Sequence, residues 1–279
     1  VIARTVSAFL RAVLVAALVM TPSLLLPSVG LDTTQIVVVL AFLAAMMTFI
    51  EYFSRYPGIV EFRFAPPFNR VKFTALFLIV VVLSLICRGK SDPTDLTRVL
   101  TALGIGLGHA IDFPYSPVRL VVLMLPENAG AGLINSVRTA AGIAYMISLS
   151  AMLVFLTWVR LFGWPARHMA FNVWVNLPLF DPTAVGDVVG RLRRDAALNI
   201  VLGALLPFLI PVIVKAASDL IGPITMENPQ SLIWTMTAWA FLPAAMIMRG
   251  IAMERVAAMI DEKRRRAYAR AQDKTLRTA

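Results

Sequence analysis

Residues 71–87 read VKFTALFLIVVVLSLIC, a run whose only charge is Lys72 at its start. At 1.5 Å per residue it makes a helix of about 25 Å, close to the thickness of a bilayer's hydrocarbon core. Five further stretches of the same character lie at 8–26, 33–53, 142–162, 196–216 and 232–248. Together they predict an all-α fold, a polytopic membrane bundle of about six transmembrane helices. The expected division is a membrane domain over 1–250 and a basic amphipathic tail over 251–279.

Composition agrees. The 279 residues are 59% apolar and 15% charged, with a mean hydropathy of +0.78. A soluble chain is nearer half apolar and a quarter charged. The apolar surplus is gathered into long runs, which separates a membrane protein from a soluble one with a large core.

The net charge of +10 comes almost wholly from arginine, 21 Arg against 5 Lys. Six spans place residues 1–11, 51–72, 160–195 and 249–279 on one side, with 20 of the 26 basic residues. The other six are Arg88, Lys90, Arg98, Arg119, Arg138 and Lys215. This is the positive-inside pattern, so both termini are expected in the cytoplasm and the arginine excess is topological. Nucleic acid, the usual partner of a strongly basic soluble domain, is not expected. High Ala, Arg and Val usage fits a GC-rich bacterial source, hence an inner-membrane location. The N-terminal run also resembles a signal peptide, but it is long for one and Ser28-Val29-Gly30 is a poor cleavage site.

Prolines punctuate the spans. Pro22 and Pro27 should kink or end the first, and Pro207 with Pro211 should bend the fifth. Between spans three and four, Asp92-Pro93 reads as an N-cap and first helical residue. The following helix places Leu96, Val99, Leu100, Leu103 and Leu107 on one face. Pro114 stops it, and 118–125 is too short to cross. Segment 93–126 is therefore expected as an interfacial or re-entrant hairpin on the outer side.

Several function classes are weakened by what the chain lacks. One cysteine, Cys87, allows no intrachain disulfide and no CxxC site. Two histidines, His109 and His168, exclude a multi-His metal centre. There is no GxSxG, no HExxH and no paired-aspartate motif, so no catalytic or metal site is assigned. No acidic residue or histidine falls at the centre of a span, where ion-coupled carriers normally place one. An ion-coupled carrier would need its site in the 95–126 hairpin, whereas a passive pore for neutral molecules is not weakened. The alternative transporter or channel is expected to use the Gly-rich 104–112 segment, and an enzyme acting on a lipid or isoprenoid the loop around His168 and Asp181. Asp181 reads as a turn or cap residue.

Four features remain. Gly104 and Gly108 form GxxxG, which permits close helix approach. His109 beside these glycines is the one candidate to ligate a haem or chlorophyll metal, or to pair with Asp112; no cofactor is otherwise expected. The loops on the basic side hold Phe62, Arg63, Phe64, Trp164 and Trp174. They suit either an aromatic belt at headgroup level or a docking face for a membrane-protein partner or a second copy. The tail carries Arg264, Arg265 and Arg266, suited to anionic lipid, with Asp261–Arg265 and Glu262–Arg266 at favourable i,i+4 spacing. A modest apolar stripe is read at Ile251, Met259, Ile260 and Ala267. The composite expectation is a non-catalytic membrane subunit, scaffold or assembly factor.

Overall fold

A computed structural model describes residues 2–27, 30–56, 58–165, 172–181, 183, 186–221 and 226–278. Among them the chain is helical, without strands. The helices are α1 (Ile2–Leu25), α2 (Leu31–Phe53), α3 (Phe68–Arg88), α4 (Asp95–Ala110), α5 (Pro117–Leu123), α6 (Ala131–Leu161), α7 (Val173–Asn176), α8 (Val188–Ile221) and α9 (Pro229–Thr278). Six of them, α1, α2, α3, α6, α8 and α9, are long and apolar enough to cross a membrane. The protein is a multi-pass helical bundle.

Helices α3, α6 and α9 pack on one another and form the centre; α1 joins α3, α2 lies outside α1, and α8 lies on α9. Ile79, Val80, Leu83, Val137, Ala141, Ile233 and Met236 are buried in this centre. The outer helices turn large apolar side chains away from it, such as Phe42 and Met47 on α2 and Leu209 and Ile213 on α8. In water such faces would be a liability; against hydrocarbon they are the favourable surface.

Seams between spans use small residues. A methyl at Gly203 would meet the Pro243 carbonyl at 2.7 Å, and one at Gly250 would meet the Ala196 carbonyl at 2.7 Å. Lipid tails are as apolar as leucine, so helices in a bilayer associate through close packing rather than burial. Prolines 207 and 211 sit within α8 without ending it. Pro211 has no N–H for the Pro207 carbonyl four residues back. The buried Trp239 indole of α9 donates to that carbonyl instead, at 3.1 Å.

Several helices overrun the stretches expected from hydropathy. α6 begins at Ala131 and not near 142, because Asn135, Ser136 and Arg138 lower local hydropathy without interrupting the helix. α8 begins at Val188 and carries Arg191, Arg193 and Arg194 beyond the apolar part. α9 runs unbroken for 50 residues, about 75 Å. The expected boundary near 250 falls inside a packed region: Ala252, Met253, Val256 and Ala257 are all fully buried. Of the expected stripe, Ile251 and Ile260 are partly buried against this region, Met253, Val256 and Ala257 complete it, and Ala267 is exposed.

The short helices at the opposite end also depart from expectation. Helix α4 is capped by Thr94, whose hydroxyl accepts from Thr97 N–H in a capping box. Asp92 instead accepts from Arg88 at 2.8 Å. The leucine-rich face of α4 points outward, with Leu96, Val99 and Leu103 exposed, while Thr97, Gly104 and Gly108 are buried. Gly104 meets Thr139 and Ile143 of α6, and Gly108 meets Arg138 and Gly142. Helix α4 thus lays its small-residue face closely on α6.

Candidate functional site

The end of the molecule that gathers α1's start, the α2–α3 and α6–α8 connections and the α9 extension carries the excess of arginine. A second hydrophobic core forms there, separate from the one among the spans. It buries Phe62, Phe68, Phe155, Trp164, Leu177, Phe180, Leu192, Met248, Met253 and Val256. Four rings make its middle. Phe62 lies 4.6 Å from Phe68 and 5.5 Å from Trp164, centroid to centroid. Phe155 lies 5.3 Å from Phe68 and 5.2 Å from Trp164, edge to face. Such arrangements set the positive ring edge against the negative face of its neighbour.

Polar contacts fix the loops onto this core. Trp164 Nε1 donates to the Ala65 carbonyl at 3.0 Å. Arg255 Nε of α9 donates to the Trp164 carbonyl at 3.0 Å. Buried Asn176 of α7 ties the two loops together: its carbonyl accepts from Phe62 N–H at 2.6 Å and its Oδ1 from Phe64 N–H at 3.3 Å. Glu61 and Arg249 form a two-bond ion pair at 2.6 and 2.8 Å, with the Glu61 side chain 10% exposed.

The end of α2 is finished by charge. Glu51 Oε1 accepts from Gly58, Ile59 and Val60 N–H groups at 2.8, 3.0 and 2.9 Å. Arg63 donates to the Glu51 carbonyl and, at 2.9 Å, to the Ser54 carbonyl. Arg4 donates to that same Ser54 oxygen. Cations at a helix C-terminus satisfy orphan carbonyls and complement the dipole. Burial lowers the Arg63 pKa from its ordinary value, and neighbouring Arg4 adds to it.

The residues expected to contact a partner thus separate into groups. Phe62 and Trp164, expected on an exposed face, are 1% and 2% exposed; four-ring packing withdraws them into the core. Arg63 turns back to cap α2. Phe64 is exposed and covers Arg63, with the guanidinium 4.6 Å from its ring centroid. Trp174 lies on α7, but its side chain is outside the described part; His168 also lies outside the described residues, as do the Ser28-Val29 site, Phe171 and Pro182. Tyr56, Ile59 and Leu179 are exposed on the same loops.

The basic tail cluster is largely paired. Arg264 reaches Asp187 at 2.6 Å, Arg265 reaches Asp261 at 2.8 Å, and Arg266 pairs with Glu262. The two i,i+4 pairs expected from spacing are present. Asp187, whose Oδ2 also accepts from Gly190 N–H at 3.0 Å, caps the start of α8. The Arg264 hydrogen bond, followed by that amide, holds the Asp187 carboxyl below its ordinary pKa. Asp181 makes the expected turn, accepting from Thr183 N–H at 2.8 Å.

At the opposite end, His109 is exposed and does not pair with Asp112. Asp112 is taken by two arginines: Arg138 Nε at 2.7 Å and Arg119 Nε at 3.1 Å. The second contact is an ion pair not aligned as a hydrogen bond, since Asp112 Oδ1 accepts none. Gly104 and Gly108 are closed against α6. These two glycines therefore serve helix packing, while Ile105 between them lines a pocket with Leu83, Thr139 and Ile233. Among the described residues no group of three metal-ligating side chains converges.

Neither family models, nor curated proteins, nor solved structures yield a match to this chain.

The sequence reading missed Asn176, Glu51 and the Glu61–Arg249 pair. Glu61 and Arg249 stand 188 positions apart, and no local pattern joins them. Glu51 at the end of an apolar run followed by Pro57-Gly58 was the one available signal.

Proposed function

We propose that this protein is a non-catalytic membrane subunit or scaffold whose basic end is a rigid docking face for a protein partner. The observation that carries the reading is the second hydrophobic core. A passive anchor has no need of buried aromatics, an inter-loop asparagine and a packed helix extension beyond its spans. Here those features fix the described parts of two loops against the core and leave Tyr56, Ile59, Phe64 and Leu179 exposed on them. Pre-set loops bind with less ordering cost than mobile ones, and aromatic anchors dominate interface energies.

The placement goes with this reading. Twenty basic residues on one side against six on the other support a bacterial cytoplasmic membrane with both termini and the docking face in the cytoplasm. The tail cluster would then lie beside anionic headgroups. A transport path through 104–112 is the less favoured reading, because Gly104 and Gly108 are filled by α6 and Asp112 is held by two arginines.

The test is native extraction into a membrane-solubilising polymer, followed by size analysis and mass spectrometry. A second protein at near-stoichiometric level is expected. The double variant Phe64→Ala, Ile59→Ala should lose it while remaining monodisperse and thermally unaltered. A wild-type chain that emerges alone and homogeneous would overturn the proposal.

A further inference from the structure

Helices α6 and α8 both pack on α9 but make no substantial contact with each other. They leave an open groove of about 510 Å³ at the basic end, floored by α9. Its chemistry is graded along the bundle. Arg160 of α6 and Arg255 of α9 stand at the mouth, and one turn deeper on the same helices stand Leu156 and Ile251. Ile200 of α8 continues the apolar wall opposite.

The charges at the mouth are uneven. Arg160 forms no ion pair or hydrogen bond through its side chain among the described residues and is exposed. Arg255 spends one donor on the Trp164 carbonyl. The single carboxylate in the groove, Glu254, faces Arg193 of α8 at 3.6 Å. At the same level of the chain but outside the groove, Trp158 is 40% and Phe162 65% exposed, residue types that settle at the headgroup level.

We infer that this groove is a binding site for one phospholipid with an anionic headgroup, the phosphate between Arg160 and Arg255 and an acyl chain along Leu156, Ile200 and Ile251. Basic pockets between spanning helices on the cytoplasmic side recognise such headgroups. A partner's helix fits less well, since it would have to bring an acidic residue to the mouth and only apolar ones below. The inference rests on the orientation given above but not on the docking face.

The experiment is native mass spectrometry of the full chain in mild detergent, titrated with phosphatidylglycerol or with phosphatidylcholine of the same acyl chains. The wild type should retain one phosphatidylglycerol at least tenfold more tightly than phosphatidylcholine. Arg160→Gln should weaken phosphatidylglycerol about fivefold and leave phosphatidylcholine unchanged. Leu156→Trp, which blocks the chain channel on a lipid-facing position, should weaken both. Thermal unfolding near wild type qualifies each variant as folded. Equal retention of the two lipids by the wild type overturns the site. So does a preference that survives both substitutions and disappears on Arg264→Gln, Arg265→Gln, Arg266→Gln, which would place the lipid on the tail. Release of a protein partner by Leu156→Trp with lipid binding intact would make the groove a helix seat, again overturning it. Phe64→Ala should leave lipid retention unchanged, so loss of the docking reading and loss of this one are separable.

Discussion

Removing the indole donor of Trp239 tests how this bundle tolerates two prolines inside one span. Residue 211 of an α-helix would normally donate to the carbonyl of residue 207, and a proline there cannot. In hydrocarbon no water replaces the missing donor. Trp239 Nε1 does so from the neighbouring helix at 3.1 Å, on a side chain only 3% exposed and 5.7 Å from the Tyr145 ring. Trp239→Phe keeps an aromatic ring but leaves the Pro207 oxygen without a partner. The orphaned acceptor costs about 1–3 kcal/mol, and the smaller ring adds a cavity cost of about 1 kcal/mol. In a Pro211→Ala background the new backbone N–H can donate to Pro207 itself. Only the cavity cost of Trp239→Phe then remains, so the two substitutions couple by about 1–2 kcal/mol. For a chain of this size that amounts to roughly 2–6 °C in Tm. The assay is a double-mutant cycle of thermal unfolding in one detergent. Equal Tm losses for Trp239→Phe in both backgrounds would refute the reasoning.

Further expectations follow from the two packing regions and the tail. Trp164→Ala should cost about 3–5 kcal/mol, because the ring is buried among three others, whereas Phe64→Ala should change stability by less than about 0.5 kcal/mol; thermal unfolding compares the two. Gly142→Ala would set a methyl 2.6 Å from the Gly108 Cα and should cost about 1–3 kcal/mol. Gly106→Ala meets nothing within 4 Å and should be neutral or stabilising in the same assay. The Asp187–Arg264 contact is a pH prediction. Since the Asp187 pKa is lowered in the folded protein, its contribution is complete above the ordinary aspartate range near 4 and is lost as pH falls through the lower folded value. Hydrogen exchange over 261–270 should therefore be unchanged from pH 7 to pH 5, after correction for intrinsic rates, and show fraying only in the acid range. Fraying already at pH 6 would mean another group controls the tail.

What was legible in the sequence was local or periodic. The six spans, GxxxG as a close-approach site, the i,i+4 tail pairs and the Asp181 turn each depend on residues within a turn or two. The apolar face of α4 was legible too, but its direction was not: the same leucine stripe packs inward in water and outward in lipid. Helix ends were the least legible, because hydropathy marks where hydrocarbon stops and not where backbone hydrogen bonding does. α6 and α9 continue well past that point.

The sequence by itself therefore determined the class, the number of crossings and the charge asymmetry, because burying a span in lipid demands a long apolar run that no other constraint imitates. Only the tertiary structure decided which residues are surface. Phe62 and Trp164 have the composition of an interface and the position of a core. Phe64, two residues from Phe62, is the exposed one, and Asn176, with no signature at all, fixes both loops. That division arises because aromatic residues gain as much from stacking on one another as from meeting a partner, and which occurs depends on chain segments about 100 residues apart. Trp164 and Ala65, 99 positions apart, meet through one hydrogen bond.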